Sequence, residues 1–116
     1  MNIVIVTLLL LQVKHFVFDF PMQTEIHVEY KGQYGHIAGI EHSFLHAAGT
    51  TAALCFLFGM PAVLFGLLDG ILHYHIDWFK MNYGCSDMKD KRFWTDLGLD
   101  QLSHQLCYLL YIYLLV

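Results

Sequence analysis

Apolar residues fall in four long runs along the chain, and near one end of each run two polar residues stand four positions apart. The first run, residues 2–20, ends where Pro21 forces the preceding residue out of helical geometry. A polar segment containing glycines, Gln and Lys31 follows and reads as a loop. The second run, residues 37–59, breaks at Gly59, and Pro61 is well placed as the first residue of the third, residues 61–80. A charged stretch, SDMKDKRFWTD, then leads to the fourth run, residues 97–116. Each run approaches the roughly 20 residues that a helix needs to cross hydrocarbon. Residues 49–68 and 106–116 lack the polar outer stripe of a soluble bundle. The pattern predicts an all-α, single-domain integral membrane bundle of about four transmembrane helices, with the lipid bilayer as its main partner.

Composition supports the same picture. Of 116 residues, 57% are hydrophobic and 14% charged, too apolar for an ordinary soluble domain of this size. Ten acids against six bases give a net charge of -4, which excludes the cationic footprint of a nucleic-acid binder. Cys55, Cys85 and Cys107 show no CxxC spacing and imply no disulfide framework. The amino-terminal run lacks a basic leader and a small-residue cleavage site, so it reads as an uncleaved span. All six bases, Lys14, Lys31, Lys80, Lys89, Lys91 and Arg92, lie at the ends of runs one and three or in the segments after them. The positive-inside bias assigns that side to the cytoplasm and both termini to the other side of a bacterial inner membrane. Phe93 and Trp94 read as interfacial anchors, and Tyr108, Tyr111 and Tyr113 as an aromatic belt on the far side. The small residues 49–53 read as a helix contact. Self-association and protein partners are left open.

The polar pairs carry the candidate chemistry. Side chains at i and i+4 lie about 40° apart around a helix and share a face. The pairs are His15 with Asp19, His42 with His46, His73 with Asp77, and Asp100 with His104; Asp69 lies two turns before Asp77. If the helices alternate up and down, all four pairs meet at one depth. A charge at the centre of a membrane helix costs about 2.5 to 3.5 kcal/mol, so such groups are expected to face inward and pair or act. Imidazole and carboxylate together suit zinc, manganese or iron, with zinc the leading cofactor, and helical bundles build such sites from inward residues on facing helices.

The candidate ligands are His15, Asp19, His46, His73, Asp77, Asp100 and His104. A carboxylate among Asp19, Asp77 and Asp100 left off the metal is the candidate general base. His42 and Lys80 are expected to support the ligands. There are more donors than one tetrahedral ion needs, so either two ions share the site or some carboxylates orient the histidines. His75 points about 200° away from Asp77, and His27 and His36 read as solvated loop residues. The leading expectation is metal-dependent hydrolysis of a lipid or headgroup ester on the cytoplasmic side. The rivals are a non-enzymatic accessory membrane protein, holin-like or an interaction factor, whose pairs only specify packing, and a proton or metal-ion carrier. A carrier requires the polar residues to continue beyond Asp69.

These motifs resemble a family of small bacterial and phage membrane proteins, the domain of unknown function 3307. The matching blocks are HFVFDFPMQ from His15 to Gln23, His46 in the second run, HYHIDWFK from His73 to Lys80, and DQLSH from Asp100 to His104. The resemblance implies a polytopic membrane protein and adds Gln23 and Gln101 as hydrogen-bond partners of the site. It leaves the activity open.

Overall fold

Local capping chemistry sets where each helix begins. In the computed structural model, which describes residues 2–116, Asn2 accepts a hydrogen bond from the Val4 amide (2.9 Å) and opens α1, Ile3–Asp19. Thr24 and His27 cap each other reciprocally and open α2, Glu25–Tyr30. The His36 ring accepts from Ala38 and opens α3, Ile37–Phe58; Pro61 occupies the first turn of α4, Pro61–Tyr83; Asp90 accepts from Arg92 and opens α5, Lys91–Leu115. The fold is all-α, and no strand is present among the described residues.

The α3–α4 hairpin turns at Gly59, whose φ of +66° suits a residue without a side chain. The two helices then run in close contact. A Cβ at Gly66 would collide with the Thr51 hydroxyl and stand 2.6 Å from the Ala47 carbonyl, and one at Gly70 would stand 2.9 Å from the Ala47 Cβ. Small residues here let the backbones approach. Helices α1 and α5 pack against this hairpin and against each other.

The interior is inverted relative to an ordinary globular core. Among the described residues fifteen polar or charged side chains are buried against seven hydrophobic ones, while Phe56 is 95% and Leu64 68% exposed. Along the bundle the buried groups form three layers. The paired His and Asp residues occupy one. Lys14, Thr50, Asp69, Tyr108 and Tyr111 form the next. Leu11, Leu54, Ala62 and Ile112 then close the axis with an apolar plug.

Several expectations need correction. The segment after Pro21 is not all loop but contains α2, whose capping residue at the third position is His27 rather than Glu or Gln. Helix α4 continues past Lys80 to Tyr83, and α5 starts at Lys91 rather than residue 97, because Asp90 caps a turn that the charge density had disguised. No helix among the described residues is long and apolar enough to cross a membrane. The same inward polar residues that build the interior lower the mean hydropathy of the long helices.

Candidate metal centre

The four i,i+4 pairs come from four helices and meet in one cluster. Asp19, the last residue of α1, has Oδ1 2.9 Å from His46 Nε2, 3.2 Å from His42 Nε2 and 3.4 Å from His73 Nε2. Its other oxygen lies 3.2 Å from His15 Nε2. Asp77 on α4 mirrors it: Oδ2 is 3.3 Å from His73 Nε2 and 3.4 Å from His42 Nε2, and Oδ1 is 3.3 Å from His104 Nε2. The Nε2 atoms of His42 and His73 are 3.2 Å apart. The rings of His46, His73 and His104 stack in sequence, with centroid separations of 3.5 and 4.2 Å. Asp100 lies at the edge, its Oδ1 3.6 Å from His104 Nε2.

Donor atoms from three groups of residues converge closely enough to hold a metal ion: His15, Asp19, His46 and His73; His42, His73 and Asp77; and Asp77, Asp100 and His104. Bonds of about 2.0 to 2.1 Å in a tetrahedral site place neighbouring donors about 3.3 Å apart. His42 and His73 match that spacing to each other and to both carboxylates, at 3.2 to 3.4 Å. His42 therefore stands among the converging donors rather than behind them. His46 Nε2, Asp19 Oδ1, Asp77 Oδ2 and Asp100 Oδ1 are buried without an aligned hydrogen bond, although Asp77 Oδ2 is only 3.0 Å from Lys31 Nζ. Buried polar atoms are seldom left in that state.

Surrounding groups orient the cluster. His15 has both ring nitrogens engaged, Nδ1 with the Tyr108 hydroxyl (2.9 Å) and Nε2 with Gln101 Oε1 (2.8 Å). The Gln101 amide also donates to Asp100 (3.1 Å) and towards Asp19 (3.4 Å). Gln23 donates to the Asp19 carbonyl (2.6 Å) and accepts from Lys31 (2.8 Å). Both glutamines thus bridge parts of the cluster. Lys80 does not join it: its ammonium lies over the Phe93 ring, 5.5 Å from the centroid.

Sequence reasoning missed four contributors. Lys14 and Lys31, counted as markers of the cytoplasmic side, are buried. Lys14 Nζ lies 2.8 Å from Asp69, 3.1 Å from the Tyr108 hydroxyl and 3.3 Å from His46 Nδ1. Lys31 follows α2 and lies against Asp77. Burial draws its pKa down, the Asp77 charge raises it, and the balance leaves the ammonium above its ordinary value. Tyr108 and Tyr111 are fully buried rather than part of an aromatic belt, and only Tyr113 of the three is exposed. His27 is buried too, its ring 5.3 Å from that of His42, whereas His75 is exposed and hydrogen-bonded to Tyr34. His36 caps α3 and stacks on Tyr30. The spacing of His15 and Lys14 relative to each other gave no sign that adjacent residues would both turn inward.

A groove of about 380 Å³ runs between α4 and α5 and reaches the cluster at Asp100. A second, of about 410 Å³, lies between α3 and α4 and touches none of the converging donors.

The model of a family described as protein of unknown function (DUF3307) matches residues 5–116, essentially the whole chain. No curated protein and no solved structure matches it.

Proposed function

Because the chain belongs to that family, whose description names no activity, we propose from the site alone that it is a membrane-seated metalloprotein. It holds a divalent ion, zinc by its donors, and hydrolyses an ester at a lipid headgroup. The observation that carries the reading is the convergence of buried donors from Asp19, His42, His46, His73 and Asp77, of which Asp19 Oδ1, His46 Nε2 and Asp77 Oδ2 have no aligned hydrogen bond.

Charge supports one divalent ion over two. Four buried carboxylates, of Asp19, Asp69, Asp77 and Asp100, face two buried ammoniums, of Lys14 and Lys31. With every imidazole neutral, as ligation requires, two negative charges remain, and buried charges need compensation. One divalent ion supplies it. His42, His73 and Asp77 form one converging group, which leaves the fourth position of a tetrahedral ion to water; Asp19 Oδ1 lies 3.2 to 3.4 Å from both histidines, and His15 is occupied in holding Asp19 in place.

Such an ion supplies Lewis-acid polarisation and an acidified water. Asp100, the cluster carboxylate that borders the groove, would serve as the proton acceptor at that edge of the cluster. His104 lies between Asp100 and Asp77 and fixes both carboxylates.

The membrane seat rests on the inverted interior. Polar stripes face one another, and large apolar side chains such as Phe56, Leu64, Leu67 and Leu106 are exposed along the long helices, as expected for a bundle whose solvent is lipid. Helices of 22, 23 and 25 residues reach about 33 to 38 Å, enough for a hydrocarbon core. With Lys14 and Lys31 removed from the count, Lys80, Lys89, Lys91 and Arg92 still share one end of the bundle, so the proposed orientation keeps both termini away from the cytoplasm.

A carrier reading has one observation in its favour, the second polar layer beyond the cluster. That layer ends at the apolar plug of Leu11, Leu54, Ala62 and Ile112, and a hydrolytic site needs no passage beyond it. The reading is tested by incubating purified protein with phospholipid in mixed micelles. Ester cleavage that stops with chelator and returns with zinc supports it; cleavage indifferent to chelator, or none with any metal, refutes it.

A further inference from the structure

We infer that the groove between α4 and α5 binds an anionic phospholipid, with the phosphate at Lys80 and an acyl chain running along the groove towards Leu72 and Ser103. This rests on the hydrolase reading and gives it a substrate class. Three observations carry it.

First, the groove has a polar end and an apolar length. Leu72, Ile76 and Phe79 line one wall from α4 at helical spacing, and Leu99 contributes from α5. From Leu72 to Tyr83 it extends about 16 Å at the rise of an α-helix. Phe79 and Leu99 are 62% and 56% exposed, so the groove opens sideways onto the apolar outer surface. A chain can enter it from lipid.

Second, the polar end carries an uncompensated cation. The two buried lysines are paired with Asp69 and Asp77, and the neighbouring Asp96 is engaged by Arg92 (3.5 Å) and the Cys85 amide (2.8 Å). Lys80 has no carboxylate within 4.0 Å among the described residues; its ammonium rests over Phe93. An ammonium in that position suits a phosphate oxygen.

Third, the groove borders the cluster at Asp100. Lys80, Asp96 and Asp100 all line it, so a headgroup at Lys80 shares the groove with the residue proposed to take the proton. In the proposed orientation this end also carries Lys89, Lys91 and Arg92, at the level of lipid phosphates.

The test is native mass spectrometry of the full chain in neutral detergent, titrated with dioleoyl phosphatidylglycerol, dioleoyl phosphatidylcholine or inorganic phosphate. Phosphatidylglycerol should bind more tightly than phosphatidylcholine, and inorganic phosphate should not compete. Lys80→Gln should weaken phosphatidylglycerol binding about fivefold, the upper end for an ion pair open to water. Lys80→Arg should preserve it, Ile76→Trp should block it, and Lys89→Gln should leave it unchanged. Circular dichroism and melting curves identify any variant that fails to fold, and Lys80→Arg against Lys80→Gln keeps the comparison within one site. Equal binding of both lipids, an unaffected Lys80→Gln variant, or displacement by inorganic phosphate would overturn the inference. Zinc content is measured on the same samples. Normal metal with no lipid selectivity sinks the groove alone, and selective lipid binding without metal sinks the metal reading alone.

Discussion

Lys14 on α1 and Asp69 on α4 form an ion pair of 2.8 Å whose side chains are 6% and 4% exposed, one layer below the candidate metal centre. Thr50 and Tyr111 donate to the same carboxylate at 2.6 and 3.3 Å, and Lys14 reaches on to His46. The pair links the ligand cluster to the packing of α1, α3, α4 and α5. Removing one partner strands the other charge in a buried site, at a cost of about 3 to 5 kcal/mol. We therefore expect Lys14→Met and Asp69→Leu each to lower stability by about that amount in denaturant titration, and the double variant to recover much of the loss. Simple additivity of the two would show that the pair is not coupled.

Lys31 secures α2 over the cluster through Asp77 and Gln23. Lys31→Met should destabilise the protein by about 3 kcal/mol and speed amide exchange in Glu25–Tyr30 before the long helices. The sign of its pH dependence follows from its raised pKa. The stabilisation is complete below the unfolded lysine's value of 10.5 and is lost only as pH rises through the higher folded value. Stability measured between neutral pH and pH 9 should therefore show no loss attributable to Lys31. A wild-type minus Lys31→Met difference that shrinks across that range would contradict the placement.

Two glycines predict opposite signs. At Gly66 an added methyl meets the Thr51 hydroxyl and the Ala47 carbonyl, so Gly66→Ala should separate α3 from α4 and cost about 1 to 3 kcal/mol. At Gly98 in α5 nothing lies within 4 Å of an added Cβ, and Gly98→Ala should stabilise by about 0.5 to 1 kcal/mol through helix propensity. Melting temperatures of the two variants check this directly, and a shift of the same sign in both would oppose the packing described.

How much of this was legible in the sequence follows from the kind of signal each residue gives. The pairs from His15 to His104 are periodic on an apolar background, so spacing alone placed each on one helix face. The boundary at Gly59 and Pro61 was equally plain, because both residues act through backbone geometry. Lys14 and Lys31 were misread because a lysine at the end of an apolar run has the same local pattern whether it reaches out to headgroups or in to Asp69 or Asp77. Tyr108 and Tyr111 share that ambiguity, since a tyrosine near a helix end suits an interface as well as a buried hydroxyl. His42 was placed behind the ligands for want of any contact information, and α2 was too short for periodicity to register. Lys80 went the other way: three residues after Asp77 it was expected to support the cluster, but it turns towards Phe93 and the groove.

Metal affinity should fall as pH falls, because protons compete with the ion for the imidazoles of His42 and His73 and the carboxylate of Asp77. Zinc titrations in buffers of different ionisation enthalpy should show protons released on binding. A pH-independent affinity with no proton release would exclude these side chains as ligands.

The central claim is that the cluster of Asp19, His42, His73 and Asp77 holds a divalent ion. Elemental analysis of the full chain, purified in detergent without chelator, tests it most directly. About one zinc or similar ion per chain is expected, which balances the two charges left when the imidazoles are neutral, and it should be lost in the His73→Ala and His42→Ala variants, while Lys89→Gln keeps it. A correctly folded wild-type protein without transition metal, and unable to take up added zinc, would contradict the account.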